Sequence, residues 1–377
     1  MENRNVIASN LSRLRTHKGL SQEELAKAAK ISRVALGKIE RGAVLPRANT
    51  LSELANALEV PLRELVTPVN LINNVRFRAD KRINNREQVL AEISLWLNNY
   101  NWLESELDNK ESFALAHLVG KHTDPMELAE AARKALELKP DEPIRDICGL
   151  LENKGVKVLL LKKATDAFFG LSVGPGDGGP AVVVNTWERI SVERWIFTAA
   201  HELGHILLHM DAFDRTCDSE EVKEEQEADR FASYFLMPKK GFDDEWEQSR
   251  GLSLLNRVLK VKRIYRVSYK TVLYRLVESG LENNDIWRSF QIQHRDSFGK
   301  TLRKIDEPDR IKAGEFRLDW NRAGEPDSLS ASDFLLDRLY GLVRIAFDKD
   351  LISLGRAAEL LRISRADMRE LANSWVK

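Results

Sequence analysis

Apolar side chains near the start of the chain recur three and four residues apart, which is the spacing of one helix face. One face of the first segment carries Ile7, Leu11 and Leu14. Gly19 ends this predicted helix, and the capping-box spacing of Ser21 and Glu24 begins the next one. Ser32 is in place to cap a third helix. The pattern therefore predicts that residues 1–66 form a bundle of short helices joined by tight turns.

A more polar stretch follows in residues 67–122. Within it, Val89–Leu107 places apolar residues, Trp96 among them, along one face at helical spacing. This pattern predicts an amphipathic helix. The whole stretch is interpreted as a helical connector that can also serve as an interaction surface.

Between residues 123 and 245, runs of strand type and helical patterns follow one another. A predicted helix around Leu128–Leu138 precedes three short apolar runs of strand type. The predicted strands are Val156–Leu161, Phe168–Val173 and Ala181–Asn185. Gly174–Gly179 is interpreted as a hairpin loop and not as a phosphate-binding loop, because no Lys-Ser/Thr pair follows it. Two long helices, about Ser191–His209 and Glu221–Leu236, complete the region.

The remaining residues are predicted to be mostly helical. Residues 246–285 are basic, and residues 286–377 have a less regular pattern that ends in two short helices around a tight turn. This pair, in Ser353–Leu371, resembles a helix-turn-helix. We predict that it serves packing or dimerisation, with contact to DNA as the alternative.

Composition limits the possible functions. The chain has 377 residues with 58 basic and 58 acidic side chains, so any nucleic-acid surface must be local. Residues 1–66 hold 11 Lys/Arg against 7 Asp/Glu, which indicates such a surface there. The only cysteines, Cys148 and Cys217, are too few for a disulfide framework. With no signal peptide and no apolar run of about 20 residues, we expect a cytoplasmic protein that does not contact membranes.

The two cysteines are expected to have different surroundings. Cys148 falls in a helical segment and is predicted to lie in a core. Cys217 falls between two predicted helices, where a free buried thiol is expected and a regulatory zinc ligand is the alternative.

His201-Glu202-Leu203-Gly204-His205 is the motif with the clearest chemistry. Two histidines four residues apart present their imidazoles from the same face of a helix, so both can bind one zinc ion. Glu202 projects beside the metal, where it can act as the general base that takes a proton from water. We therefore expect one zinc ion per chain, held by three protein ligands.

The third ligand is either a histidine close downstream or an acid on the next helix. In a straight helix His209 lies about 12 Å along the axis from His201, too far for both to bind one ion. His209 is therefore predicted to be a core residue or to support a ligand. The next helix offers Glu224, Glu225 and Glu227. Glu227 is favoured because it borders the apolar face, with Glu224 as the alternative, and Asp229 is expected to support a neighbour.

Three segments in this part of the chain form a recognisable set, namely Phe197–His209, Glu227–Ala232 and Leu236–Pro238. Together they resemble the ImmA/IrrE family of metallopeptidases, over roughly residues 125–240. The family typically has Glu-Ala-Asn where this chain has Glu-Ala-Asp, and the resemblance makes Glu227 the matching ligand. It also implies cleavage of a helix-turn-helix repressor, which switches genes on. Val182–Asn185 matches the family strand beside the site, where an edge strand can pair with an extended substrate.

The segments Leu20–Ala26 and Ile31–Gly42 are similar to the XRE, or Cro/C1-like, helix-turn-helix family, over residues 5–66. That resemblance implies that the third helix enters the major groove of an operator. The predicted contacts to bases or phosphates are Ser32, Arg33 and Lys38, and those that hold the DNA backbone are Gln22 and Arg41. The family often has glycine in the turn where this chain has Lys30, which puts the turn geometry in question. The alternative is that the domain contacts proteins.

The predicted fold is mainly α with a small β-sheet. A five-helix helix-turn-helix domain at residues 1–66 and an α+β zincin-like metallopeptidase domain at residues 123–245 are linked by the connector at residues 67–122. A helical C-terminal region at residues 246–377 follows.

The favoured hypothesis is a DNA-binding transcriptional regulator that carries a zinc-dependent endopeptidase. Its expected partners are a double-stranded DNA operator and a protein substrate of the repressor or antitoxin type, or the chain itself, and it is a candidate homodimer. Glu202 would act first as base and then as proton donor, with zinc on His201, His205 and Glu227. In one alternative the N-terminal domain docks a separate substrate. In another the protein is a non-enzymatic transcription factor with a structural or sensory zinc site.

Overall fold

The computed structural model describes residues 2–60, 62–66, 75–79, 86–165, 168–209, 222–303, 306–308 and 328–375. By contacts, the chain divides into two compact units. The first consists of Met1–Ile72 and Ile83–Asn98, and the second of Asn73–Arg82 and Asn99–Lys377. Among the described residues, no helix combines the length and the apolarity needed to cross a membrane. Cys217, for which a free thiol or a zinc ligand was predicted, lies outside the described residues.

The first unit begins with five helices. They are α1 (Glu2–His17), α2 (Gln22–Ala28), α3 (Arg33–Glu40), α4 (Ala48–Leu58) and α5 (Arg63–Val66). Their buried side chains form one core that includes Leu11, Leu25, Leu36, Leu54 and Leu58. The predicted five-helix bundle is therefore confirmed.

Local sequence explains where α2 and α3 begin. The Ser21 hydroxyl accepts a hydrogen bond from the Glu24 N–H, and the Glu24 carboxylate accepts one from the Ser21 N–H, which completes the capping box. Ser32 caps α3 in the same way. Lys30, in the turn between them, has a φ of 56°. The turn therefore keeps the left-handed conformation that glycine usually provides, with lysine in its place.

The second unit contains a four-stranded sheet. Its strands are β1 (Val75–Ala79), β2 (Lys157–Leu161), β3 (Phe168–Val173) and β4 (Ala181–Asn185). In the order β1-β3-β4-β2, β3 pairs antiparallel with β1 and β4, whereas β2 and β4 run parallel. The three predicted strands are present, and β1 lies in the stretch that was predicted to be helical. The edge strand expected at Val182–Asn185 was wrong, because β4 pairs on both sides.

Apart from short 3-10 turns, the other described elements are α-helices. They are α6 (Arg86–Glu106), α7 (Pro125–Ala135), α8 (Ile147–Glu152), α9 (Val192–Leu208), α10 (Val222–Leu236), α11 (Lys239–Gln248), α12 (Leu254–Tyr265), α13 (Tyr269–Glu278), α14 (Ile286–Phe298), α15 (Arg338–Asp348), α16 (Leu354–Leu361) and α17 (Arg365–Trp375). Helix α9 is the centre of the second unit, since it contacts β3, β4, α8 and α10. Cys148 on α8 is buried in this core, as predicted, and burial raises the pKa of its thiol.

A buried polar cluster joins the start of α15 to the rest of the second unit. One oxygen of Glu152 accepts hydrogen bonds from the backbone N–H groups of Asp337 and Arg338, each at 3.2 Å. The Arg338 guanidinium and the Lys157 ammonium both pair with Glu104, at 3.2 and 3.1 Å. Burial raises the pKa of Glu152 to about 7.

Candidate metal centre and nucleic-acid interface

Helix α9 places both histidines of the motif in a buried position. Ser191 caps this helix by accepting a hydrogen bond from the Arg194 N–H. One turn apart on the same face, His201 and His205 are 0% and 1% exposed. An imidazole buried so completely requires polar partners, and the neighbouring helix α10 supplies them.

The ring nitrogens of the two histidines converge with a carboxylate from α10. The Nε2 atoms of His201 and His205 lie 2.9 Å apart. The two oxygens of Glu225 lie 3.4 Å from the first nitrogen and 2.9 Å from the second. In a tetrahedral zinc site with bonds of about 2 Å, donor atoms are about 3.3 Å apart. These donors are of the type that binds zinc, and their separations are within about 0.4 Å of that value.

A second acid on α10 orients the first histidine. The Nδ1 atom of His201 lies 2.8 Å from an oxygen of Asp229. Because the carboxylate accepts, Nδ1 carries the hydrogen and Nε2 keeps its lone pair for a metal. Glu225 and Asp229 are four residues apart, so one face of α10 provides both groups.

The second histidine is oriented through His209, at the end of α9. The Nε2 atom of His209 lies 3.0 Å from Glu227, and its Nδ1 atom lies 3.0 Å from Nδ1 of His205. Since the carboxylate must accept, neutral His209 donates from Nε2 and accepts at Nδ1. His205 then donates from Nδ1, and its Nε2 lone pair faces the convergence point. His209 thus contacts His205, as the predicted supporting role would require, and it is also buried.

The acid that meets the two histidines differs from the one that the sequence favoured. The sequence favoured Glu227, but the structure brings Glu225 to the histidine pair. Both Glu227 oxygens are directed elsewhere, one to His209 at 3.0 Å and the other toward Lys223 at 3.6 Å. The difference reflects how α10 is rotated about its own axis against α9, where Gly204 lies close to Ala228 and Phe231. A position at the border of the apolar face was therefore not enough to identify the acid that meets the histidines.

Two glycines allow the close packing around the motif. A Cβ on Gly170 of β3 would lie 2.5 Å from Thr198 Cγ2 and 2.9 Å from the Glu202 carboxylate. A Cβ on Gly204 would lie 2.9 Å from the Phe231 ring on α10. Glycine at these positions lets the sheet and α10 approach the face of α9 that carries the motif. Sequence reasoning did not single out Gly170, since the contact joins residues that are distant in the chain.

The Glu225 carboxyl favours its ionised form, which is the form that binds a metal ion. Burial alone would raise the pKa of this carboxyl, but in the state in which His201 and His205 are protonated, their hydrogen bonds and charge outweigh burial and lower the pKa below its usual range. Its side chain is 22% exposed, so the site is open on the α10 side. Glu202 is fully buried beside the pair.

In the first unit, the predicted DNA contacts fall into two groups. Arg33 and Lys38 are exposed on α3 and form no ion pair within the described part of the chain. Ser32 caps the same helix. Gln22 donates a hydrogen bond to Glu40 at 2.7 Å, and the Arg15 side chain also pairs with Glu40, so Gln22 is held in place from the protein side.

Arg41 is the C-cap residue of α3, and its guanidinium lies near Gly37. A Cβ on Gly37 would be 3.4 Å from an Arg41 nitrogen and 3.9 Å from the Gln22 side-chain oxygen. Gln22 and Arg41, the two residues predicted to hold the DNA backbone, therefore lie on the same side of the bundle.

Comparison with known proteins gives a consistent assignment for both units. Residues 11–65 match the family model described as helix-turn-helix, and residues 151–277 match that of the IrrE N-terminal-like domain, a peptidase family. The chain is 46% identical over 70 residues to y4dJ of Sinorhizobium fredii, described as an uncharacterized HTH-type transcriptional regulator. The match covers 19% of this chain and 91% of that protein. The chain therefore belongs to the XRE-type helix-turn-helix regulators and carries, in addition, an ImmA/IrrE-like domain.

Among solved structures, the chain can be aligned with the crystal structure of ComR from Streptococcus suis. The alignment covers 78% of this chain and 83% of that one, at 11% identity and a TM-score of 0.16. Agreement at this level supports no conclusion about fold or function.

Proposed function

We propose that the second unit is a zinc-dependent endopeptidase that serves the transcriptional regulator of which it is part. The observation that carries the proposal is the convergence of one donor atom each from His201, His205 and Glu225, all within 4.8 Å of one another. Two imidazoles and a carboxylate are a ligand set typical of catalytic zinc, which keeps a further position open. We assign Glu225 as the third ligand, with Asp229 and the pair His209 and Glu227 as supports.

The side chains of the site divide the chemistry among them. Zinc, when bound, supplies Lewis acidity that polarises a carbonyl group and makes a water molecule more acidic. Glu202 takes the proton from the attacking water and later gives it to the leaving amine. Asp229 and His209 keep the two imidazoles in the tautomer that leaves each Nε2 free of hydrogen. These roles together describe hydrolysis of a peptide bond.

We propose that the substrate is a protein of the repressor or antitoxin type, or the chain itself, because the site shares its chain with a DNA-binding domain. The same chain holds a helix-turn-helix domain, so a peptidase here would act where transcription is controlled. In the first unit we propose that Arg33 and Lys38 contact a duplex operator, supported by their exposure on α3 and by the family match.

The test compares the wild-type chain with Glu202→Gln, both loaded with one equivalent of zinc. Each is incubated alone and with a library of peptides from a digested proteome, and new N-termini are identified by mass spectrometry. We expect cleavage by the wild type only, because glutamine cannot take the proton, while both proteins retain zinc. Equal products from both proteins, or none from either, would favour the non-enzymatic alternative with a structural or sensory zinc site.

A further inference from the structure

Among the last three helices, α15 to α17, the pair α16 and α17 resembles the pair α2 and α3 of the first unit. The three helices together are called here the C-terminal helical segment, Arg338–Trp375. Ser353–Met368 can be laid on Ser21–Leu36 without an insertion or a deletion, so that Ser353 matches Ser21 and Ser364 matches Ser32. The final residues before the second helix are Lys-Ile-Ser in one case and Arg-Ile-Ser in the other, and an arginine follows in both.

The helices of the two segments begin with the same caps. The hydroxyls of Ser21 and Ser353 each accept a hydrogen bond from the N–H three residues later, both at 3.2 Å. The hydroxyls of Ser32 and Ser364 do the same, both at 3.1 Å. Serine at these four positions therefore has one structural role, which is to start a helix.

The turns between the helices also agree. Lys30 and Arg362 occupy equivalent positions, with φ of 56° and 60°. In both turns this residue donates a backbone hydrogen bond to the carbonyl three residues earlier, and the isoleucine after it donates to the carbonyl five residues earlier. A turn with this conformation fixes the angle at which the second helix leaves the first. The two pairs of helices therefore share the conformation of their turn as well as their sequence pattern.

Burial follows the same register. Equivalent buried pairs are Leu25 and Ala357, Ala26 and Ala358, Ala29 and Leu361, and Leu36 and Met368. Exposed positions at the start of the second helix also coincide, since Ser32 and Arg33 are exposed in one segment and Ser364 and Arg365 in the other. The register differs at two positions, where exposed Ala28 matches buried Leu360 and buried Gly37 matches exposed Arg369. Helix capping accounts for the two serines, whereas neither packing nor capping requires an exposed arginine at the position of Arg33 and Arg365.

The exposed face of α17 carries two arginines, Arg365 and Arg369, and two acids, Asp367 and Glu370, so its charges balance and only the arginines suit contact with a polyanion. Arg365 and Arg369 are both exposed and form no ion pair with any residue that the structure describes. Glu370 takes the position that Lys38 has on α3, so the two helices do not present the same groups. A duplex contacted by α17 would differ in sequence from the one contacted by α3.

We propose that α16 and α17 form a second DNA-binding helix-turn-helix, in which α17 enters the major groove of duplex DNA. Arg365 stands where Arg33 stands in the first helix-turn-helix, at the start of the recognition helix, from which base edges are read. Arg369 lies one turn further on the same helix and contacts a phosphate or a base. The chain then recognises DNA at two separate positions. This inference goes beyond the proposed function, since neither the peptidase nor the first helix-turn-helix depends on it.

The test uses the full chain and duplex DNA selected from a random library with the wild-type protein. Affinity is measured as a function of salt for the wild type, for Arg365→Ala with Arg369→Ala, and for Arg33→Ala with Lys38→Ala. If α17 contacts DNA, its double variant binds about tenfold or more weakly, and the slope of log affinity against log salt falls by about 0.9 for each phosphate that the protein no longer neutralises. The protected region in a hydroxyl-radical footprint also becomes shorter.

Arg250→Ala with Arg295→Ala is the matched control, because it removes two charges from exposed side chains of the same unit that lie outside the segment. Thermal unfolding and circular dichroism establish that each variant is folded. If the double alanine variant of α17 is not folded, Arg365→Gln with Arg369→Gln is used in its place, because glutamine keeps most of the length of both side chains. An unchanged affinity, slope and footprint, or a change no larger than that of the control, overturns the proposal. A weakening confined to the α3 variant then identifies the first helix-turn-helix as the DNA-binding element.

Discussion

Replacing Glu225 and Glu227 by glutamine, one at a time, decides which acid binds zinc. The two side chains are similarly exposed, at 22% and 26%, and lie on the same helix, so the two substitutions perturb folding to a similar extent. Glutamine keeps the size and shape of glutamate but removes its negative charge. A difference in zinc affinity between the two variants therefore reports the different roles of the two acids at the metal centre.

The structure assigns each variant a different loss of zinc affinity. Glu227 touches His209 and not the converging Nε2 atoms, so it acts on the metal through two imidazoles. Supporting groups of this kind are typically worth about 10–100-fold in metal affinity. That range corresponds to about 1.4–2.8 kcal/mol. For Glu225→Gln, which removes an anion from the set of donors itself, we expect a loss above this upper limit of about 100-fold.

Competition with a chromogenic chelator at neutral pH measures the zinc affinity of each protein, and elemental analysis gives the stoichiometry. Glu224→Gln is the control, since it removes one charge from the same helix, outside the three donors that converge. Its affinity should stay within about threefold of the wild type, because Glu224 contributes no atom to the converging donors. Wild-type affinity in Glu225→Gln, together with abolished zinc binding in Glu227→Gln, would refute the ligand assignment and restore the one that sequence favoured.

Three further predictions test other parts of the structure. Gly170→Ala should retain zinc but reduce cleavage and cost about 1–3 kcal/mol of stability, because its Cβ meets Glu202 and Thr198; unchanged kinetics would show that this close approach is unimportant. Lys30→Gly should stabilise the first unit by about 0.5–1 kcal/mol, read by hydrogen exchange of α2 and α3, because it relieves a positive φ; faster exchange would contradict this. Burial raises the pKa of Glu152 from 4.5 to about 7. Between these pH values the native state holds a proton that the unfolded state has released, so the free energy of unfolding should fall by about 3 kcal/mol as pH rises from 4.5 to about 7. Denaturant titrations of Glu152→Gln should lack this part of the pH dependence, and parallel pH profiles would contradict it.

The sequence was sufficient where structure depends on neighbours in the chain. Serine caps, a capping box and helical spacing placed α2 and α3, and apolar runs placed β2, β3 and β4. The spacing of His201 and His205 predicted a shared face, since a helix repeats every 3.6 residues whatever surrounds it. Lys30 was the one doubtful position of the turn, and it takes the positive φ that glycine would have taken.

Tertiary structure decided what depends on how elements pack. β1 is a strand because β3 offers it a partner, and β4 is interior because β2 and β3 both pair with it. The choice of Glu225 over Glu227 depends on the rotation of α10 about its own axis, and one residue of rotation is about 100°. The sequence pattern of α10 shows which broad face is apolar, but it does not determine the rotation of the helix closely enough to choose between the two acids. That rotation is set by the packing of α10 against α9 and α7, and the packing of Gly204 against Ala228 and Phe231 is part of it.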